Sequence, residues 1–269
     1  MRIPIKTIRR VLMRYFYLYS GIYISLQGSL SFYKYFNLRK QLRLLKKQSS
    51  KFNALFPVTK LYPCYEDKNE NAGGLEFHYF YQDLYAAQRI YKNQPQNHID
   101  IGSRISGFIA HVASFREVEV LDIRPLEDVI QNVKFKQCDL MNLNPDFLEC
   151  TDSISCLHAL EHFGLGRYGD PLCADGYLSG FQNIHKMLKP GGKFYFSVPM
   201  GKQRIEFHAH RVFSLQYLLE MINPYFEVDA FSYIDDKNRF YENVSISEKD
   251  ISDNFGCRFG CAIFELTKK

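Results

Sequence analysis

The pattern of apolar residues predicts an α/β protein: a mostly parallel sheet with helices on both faces and a helical appendage at the N-terminus. Three observations carry this. From about residue 77 onward, short apolar runs alternate with helical patterns, as strand-helix-strand units of a parallel sheet do. The first run, His98-Ile-Asp-Ile, delivers Asp100 to a glycine turn at Gly102, and Gly107 follows. A second run ends on another acid, Asp122, 22 positions after Asp100. Ligands of open α/β sheets sit at the carboxyl ends of the strands, and a helix starting there offers free N–H groups to an anion.

Phe77, Tyr81, Leu84, Tyr85 and Ile90 recur at helical spacing and lead into the first strand. After the glycine turn, Phe108, Ile109, His111, Val112 and Phe115 form a second helical stripe. Val118, Val120, Leu121 and Ile123 make the second strand, and its tip acid, Asp122, is what the two hydroxyls of a ribose need as an acceptor. The alternation Val133 to Leu140 predicts a third strand ending at Asp139, and Ser153 to His158 a fourth. A helix from about Gly176 to Leu188 runs into a tight turn, Lys189-Pro-Gly-Gly192, and a fifth strand, Lys193 to Val198. A helix over Phe213 to Met221 and strands over Phe226 to Tyr233 and Gly260 to Leu266 complete the pattern. The 26 residues Ile234 to Phe259 are a polar insertion longer than a hairpin loop.

The net charge of +5 hides a division. Residues 1–65 hold thirteen Lys and Arg and no acid, leaving 21 basic against 29 acidic residues in the remainder. The nineteen uncharged residues Tyr15 to Tyr33 could reach across a bilayer, but tyrosines, serines and glycines interrupt them, so neither a membrane span nor a signal peptide is expected. Tyr35, Leu38, Leu42 and Leu45 with Arg39, Lys40, Arg43, Lys46 and Lys47 describe a basic amphipathic helix. Such a helix either lies on an anionic membrane, through residues 1–51, or packs on the domain with its charges in water. Nucleic acid is not expected as a partner, since the acidic remainder would oppose it. The loop Glu66 to Gly74 separates a basic, aromatic-rich segment, 1–72, from an α/β domain, 73–269. Seven scattered cysteines without paired spacing read as reduced thiols in a cytoplasmic protein, and no metal set is expected.

The order of these pieces resembles the class I S-adenosylmethionine-dependent methyltransferases, from roughly Phe77 to the C-terminus. That resemblance implies a Rossmann-like sheet of seven strands, the last antiparallel, and S-adenosylmethionine as cofactor. It implies that Asp100, Gly102 and Ser103 lie near the methionine end, Asp122 and Ile123 at the ribose, Asp139 and Leu140 beside the adenine, and His158 again toward the methionine. Arg104 stands where the family carries a glycine, and would either pair with the cofactor carboxylate or fill the pocket. Asp100-Ile-Gly-Ser-Arg104, Asp122-Ile-Arg-Pro-Leu126 and the run from His158 to Pro171 are also similar to a little-characterised bacterial family, catalogued as a domain of unknown function and associated with surface-polysaccharide synthesis. This implies a sugar or glycan acceptor at the cytoplasmic face of a membrane.

Methylating a hydroxyl requires alignment and a base, and histidine suits that work near neutral pH. His162 is the favoured base, with His210 second. Arg167, Tyr168 and Asp170 on a glycine-rich loop, and His208 and Arg211 past strand five, are the candidates for holding the acceptor, although Arg167 and Asp170 could simply pair with each other. Two rival readings stand beside this one. His158-Ala-Leu-Glu161-His162 also spells the H-x-x-E-H of a zinc hydrolase, which requires one helix through all five positions. The departure at Arg104 fits a non-catalytic binding module.

Overall fold

A computed structural model describes residues 34–48, 56–61, 64 and 77–269. The expectations for Tyr15 to Tyr33 and for the loop Glu66 to Gly74 fall outside the described residues. The chain divides into two units, Met1–Gly74 and Leu75–Lys269. In the first, residues 34–48 form a helix, α1, on which the Arg39 guanidinium lies 5.2 Å from the Tyr35 ring centroid while Phe36, Leu44 and Leu45 face water. No helix among the described residues is long and apolar enough to cross a membrane.

The second unit is an α/β domain. Helix α2 (Phe77–Asn93) precedes β1 (Ile99–Ile101), β2 (Val118–Asp122), β3 (Val133–Gln137) and β4 (Thr151–Leu157). Helix α3 (Ala110–Ala113) lies between β1 and β2, and α4 (Gly176–Met187) leads into the long β5 (Leu188–Met200). Next come the hairpin β6 (Arg204–Glu206) and β7 (His210–Val212), α5 (Leu215–Ile222), β8 (Phe226–Ile234), β9 (Phe240–Tyr241), α6 (Glu248–Asp253) and β10 (Gly260–Lys268).

The main sheet runs β3-β2-β1-β4-β5-β10-β8-β9. Its first five strands are parallel, and β10 is antiparallel to both β5 and β8. Both faces are covered, so the central strands are buried on both sides, with Asp100, Ser153 and Ser155 among their buried residues. Along β10, Cys261 and Ile263 face one side with Tyr85 of α2, whereas Ala262, Phe264 and Leu266 join the core under α4 and α5. Helix α2 is fastened across the sheet by Arg89, whose Nε donates to the buried Glu265 carboxylate at 2.6 Å.

Three expectations are corrected. The sheet has eight strands rather than seven, because the polar insertion folds back on β8. Asp235 accepts from the backbone of Lys237 and Arg239 and from the Arg239 side chain, closing a tight turn that returns Phe240 and Tyr241 to pair with Ile234 and Tyr233. The expected turn Lys189–Gly192 is a bulge inside one strand, since Thr151 pairs with Leu188 while Ser153 pairs with Lys193. A Cβ at Gly192 would stand 2.9 Å from the Lys189 carbonyl oxygen, so the bulge needs a glycine. The helix after the glycine turn is also shorter than its apolar stripe. Residues Ile105–Ile109 form a π turn broken at Gly107, and only Ala110–Ala113 are α-helical, because the chain there passes against Asp83 of α2.

Candidate functional site

The strand order reverses between β1 and β4, and two adjoining cavities open at the carboxyl ends of those strands. Gly102, immediately past β1, lines both. It takes a positive φ of 71°, and a Cβ there would stand 3.0 Å from the Cβ of Ala159. Only glycine carries the chain through this point without strain.

Asp100 shapes that turn from inside. Its carboxylate is fully buried and accepts from Ser103 N at 3.0 Å, Ser103 Oγ at 2.8 Å and Ser155 Oγ at 2.5 Å. Burial raises it, against these bonds, to about 7. It lines neither cavity, so the expected contact with a cofactor is replaced by a structural one.

The smaller cavity, about 70 Å³, has an apolar wall that includes Ile101, Leu121, Leu140, Met141, Ala159 and Phe163, with Asp122, Ile123 and Asp139 at its edge. Asp139 accepts from Met141 N and from the Asn142 amide, which fixes the loop after β3. Asp122 is taken up by its neighbour: Arg124 donates to it from its backbone N at 2.8 Å, Nε at 3.0 Å and Nη2 at 2.6 Å. The Arg124 guanidinium then lies 4.5 Å from the ring centroid of Tyr168. Arg124, Tyr168 and His162 border both cavities, forming the partition between them.

The larger cavity, about 740 Å³, brings charged and titratable side chains into a partly apolar wall. Ser103, Arg104, His158, Arg167 and His210 line it as well. The Arg104 side chain is exposed, its guanidinium 5.6 Å from the Tyr79 ring centroid, so it edges this cavity rather than filling the smaller one. His162 Nδ1 lies 2.6 Å from the Ala209 carbonyl oxygen. A carbonyl only accepts, so Nδ1 carries the proton and Nε2 presents a lone pair. Nε2 is 3.8 Å from Glu161 Oε1. Burial above all holds His162 below the ordinary imidazole range. His158 has φ of 51° and sets its Nδ1 3.1 Å from Glu161 Oε1. Burial works against its protonation, but Cys261 and Glu161 outweigh burial and raise it well above the usual value.

Asp170 accepts from Gly166 N and Tyr168 N and so closes its own loop, while Arg167 Nη1 donates to the Ala209 carbonyl. Two expected acceptor contacts are corrected. Arg211 is buried, donating to the carbonyls of Glu161, Phe163 and Ala174 beneath the site. His208 sits exposed at the tip of the β6–β7 hairpin with φ of 70°, outside both cavities. The H-x-x-E-H helix is not built either. The left-handed turn at His158 breaks it, only Leu160–His162 make a 3-10 turn, and the ring nitrogens of His158 and His162 are turned to different partners.

Residues 109–255 match the family described as Caenorhabditis protein of unknown function, DUF268. The chain belongs to that family. No curated protein matches the sequence significantly. Among solved structures, the 1,6-didemethyltoxoflavin-N1-methyltransferase of Burkholderia thailandensis, with 1,6-didemethyltoxoflavin and S-adenosylhomocysteine bound, is similar with a TM-score of 0.50 at 14% identity, over 86% of this chain and 90% of that one. The N-methyltransferase NodS of Bradyrhizobium japonicum WM9, in complex with S-adenosylhomocysteine, gives 0.48 at 13% identity, over 82% of this chain and 99% of that one. At such identities the likeness is one of fold. This DUF268 chain thus has the Rossmann-like fold of the class I methyltransferases.

Sequence reasoning missed His78, Tyr79, Gln82 and Asp83 of α2, the pair Asp235 and Asp236 of the insertion, and Phe259, all of which line the larger cavity. It also missed Arg124 as the partner of Asp122. The only signal for Arg124 was its place two residues after a strand-tip acid, within reach of that carboxylate.

Proposed function

We propose that the protein transfers a methyl group from S-adenosylmethionine to a hydroxyl of a sugar or glycan intermediate. The observation that carries this reading is the pair Asp122 and Asp139, past adjacent strands, at the mouth of an apolar slot beside the Gly102 turn. The slot suits an adenine ring, Asp122 can accept from ribose hydroxyls, and Arg104 edges the turn where a carboxylate would follow. These residues fit the cofactor. S-adenosylmethionine supplies an electrophilic methyl group on a sulfonium.

The rest of the chemistry falls to the chain's own groups. His162, neutral near pH 7, takes the acceptor's proton on Nε2 as the hydroxyl oxygen attacks. Glu161, 3.8 Å away and held ionised mainly by its bond to His158 against the effect of burial, steadies the imidazolium that results. The larger cavity takes the acceptor, with Arg167 and Tyr168 in its lining. The glycan rests on the similarity of the three sequence motifs to a family associated with surface polysaccharide.

Calorimetry of the full chain with S-adenosylhomocysteine tests the cofactor. Saturable one-to-one binding that Asp122→Ala weakens about 100-fold is expected, and no binding at millimolar ligand in folded protein makes the chain a non-catalytic module. Label transfer from radioactive S-adenosylmethionine to a panel of nucleotide sugars tests the acceptor class. The basic segment, residues 1–51, is further proposed to hold the protein on an anionic membrane at the cytoplasmic side; α1 has exposed apolar residues beside its Lys and Arg. Equal pelleting with anionic liposomes after removal of residues 1–51 overturns that assignment.

A further inference from the structure

Beside the larger cavity lies a second constellation, of which methyl transfer uses only His158, through its bond to Glu161. His78 of α2, His158 past β4 and Cys261 of β10 bring one ring nitrogen each and a sulfur within 4.8 Å of one another. They are separated by 80 and 103 positions in the sequence, so only the fold assembles them. All three are sequestered: His78 is 8% exposed, the His158 side chain 5%, and Cys261 0%.

Burying two imidazoles and a thiol in contact costs free energy unless something joins them. Each member is already oriented by an outer partner. Glu161 Oε1 takes His158 Nδ1 at 3.1 Å, which leaves Nε2 as the ring atom for another bond. His78 is bonded to the Phe259 backbone and stacked between Phe259 and His158, ring centroids 5.6 and 5.4 Å away. The Cys261 sulfur hydrogen-bonds the His158 ring and otherwise has long contacts of 3.8 Å to Gln82 Oε1 and 3.7 Å to the Ala262 carbonyl. A carboxylate behind a ligating histidine is the usual outer arrangement of a metal site. Two further observations point the same way. Glu161 Oε2 is buried without a hydrogen-bond partner, and His158 is held in a left-handed backbone conformation, a strain of about 1–3 kcal/mol that tends to persist where function requires it.

The geometry points to a zinc site formed by His78, His158 and Cys261, with Glu161 as the outer carboxylate. Two nitrogens and one sulfur suit Zn²⁺ better than the oxygen-seeking cations. Three protein ligands leave a fourth position, open to the cavity that His78 and His158 line, where an oxygen of a bound acceptor can complete the shell. Zinc takes the Cys261 sulfur as a thiolate and both histidines as neutral imidazoles, any displaced protons passing to solvent. Cys261 is a poorer candidate for a nucleophile, because its sulfur is fully buried and does not line the cavity. A metal ion can reach it where a substrate carbon cannot.

This site stands independently of methyl transfer, and its test does not use activity. The untagged full chain is loaded with Zn²⁺, desalted and assayed for metal by mass spectrometry, and in parallel loaded with Co²⁺ for its absorption spectrum. One zinc per chain is expected, with a thiolate-to-cobalt charge-transfer band and the intense visible bands of tetrahedral cobalt. Cys261→Ser, whose fold is checked by circular dichroism, should lose the charge-transfer band. His78→Gln should lower zinc retention at least tenfold. A wild-type cobalt spectrum without a thiolate band overturns the inference even if every variant misfolds, and so does zinc content unchanged in folded Cys261→Ser and His78→Gln. Loss of S-adenosylhomocysteine binding with zinc retained would instead sink only the methyltransferase reading.

Discussion

The two cavities on either side of Arg124 and Tyr168 are built in different ways. The smaller is made by successive strand ends: Ile101 and Gly102 at the end of β1, Leu121 to Ile123 at the end of β2, and Cys138 to Met141 after β3. Its walls are mainly apolar, and the acids Asp122 and Asp139 stand at the ends of its adjacent strands β2 and β3. The larger is made by segments far apart in the chain, namely α2, the turn after β4, the β6–β7 hairpin and the insertion between β8 and β10. It collects four histidines, His78, His158, His162 and His210. A slot of this kind holds a ligand, whereas a chamber lined with titratable groups can move protons. If that division of labour is real, variants on one side should lose affinity and variants on the other should lose turnover.

The largest effect is expected at His162. His162→Ala should lower label transfer to the best nucleotide-sugar acceptor by about 10²–10⁴-fold while leaving S-adenosylhomocysteine affinity within about threefold. A parallel fall in affinity would mean that His162 belongs to the slot. The pH profile sharpens the same point. A base must be unprotonated to work, and burial holds His162 below the ordinary imidazole range. The rate of the wild-type protein should therefore rise with pH through a midpoint below about 6.5, the free imidazole value. A midpoint above about 6.5 would point to a different base.

On the other side, Asp122→Ala should weaken S-adenosylhomocysteine by about 100-fold. Hydrogen bonds to a charged group contribute about 1.5–3 kcal/mol each, and a ribose offers two hydroxyls. Once S-adenosylmethionine is saturating, turnover should stay within a few-fold of wild type. A variant that binds normally would leave the ribose without its expected acceptor.

The same contrast explains what the sequence could tell. Strand-tip acids follow a local rule, alternation and then a polar residue, so Asp122, Asp139 and the Gly102 turn were legible along with the parallel order β1 to β5. Asp100 belongs to the same rule and still escaped it, because a strand-end carboxylate can turn inward to its own loop as easily as outward. The larger cavity follows no local rule. His78 lies on a helix whose apolar spacing marks it only as packing, and nothing in residues 234–259 announces that Asp235 will fold the chain back into an eighth strand. Arg211 shows the limit from the other side: an arginine past β5 reads as a ligand contact until three carbonyls are found around it.

The smallest expected effect falls on the partition itself. Asp122 gives both oxygens to Arg124, so a ribose must compete with a guanidinium for its acceptor. The pair is only partly buried, with the Arg124 side chain 48% exposed, and is worth about 1 kcal/mol. Arg124→Ala removes that competition and keeps the backbone N–H bond that orients Asp122. S-adenosylhomocysteine should then bind about fivefold tighter, as calorimetry would read directly. Tyr168→Ala is the control, since it opens the same wall without freeing the carboxylate and should leave affinity nearly unchanged. If Arg124→Ala weakens binding instead, the guanidinium is a ligand of the nucleoside rather than its competitor, and the partition belongs to the binding slot.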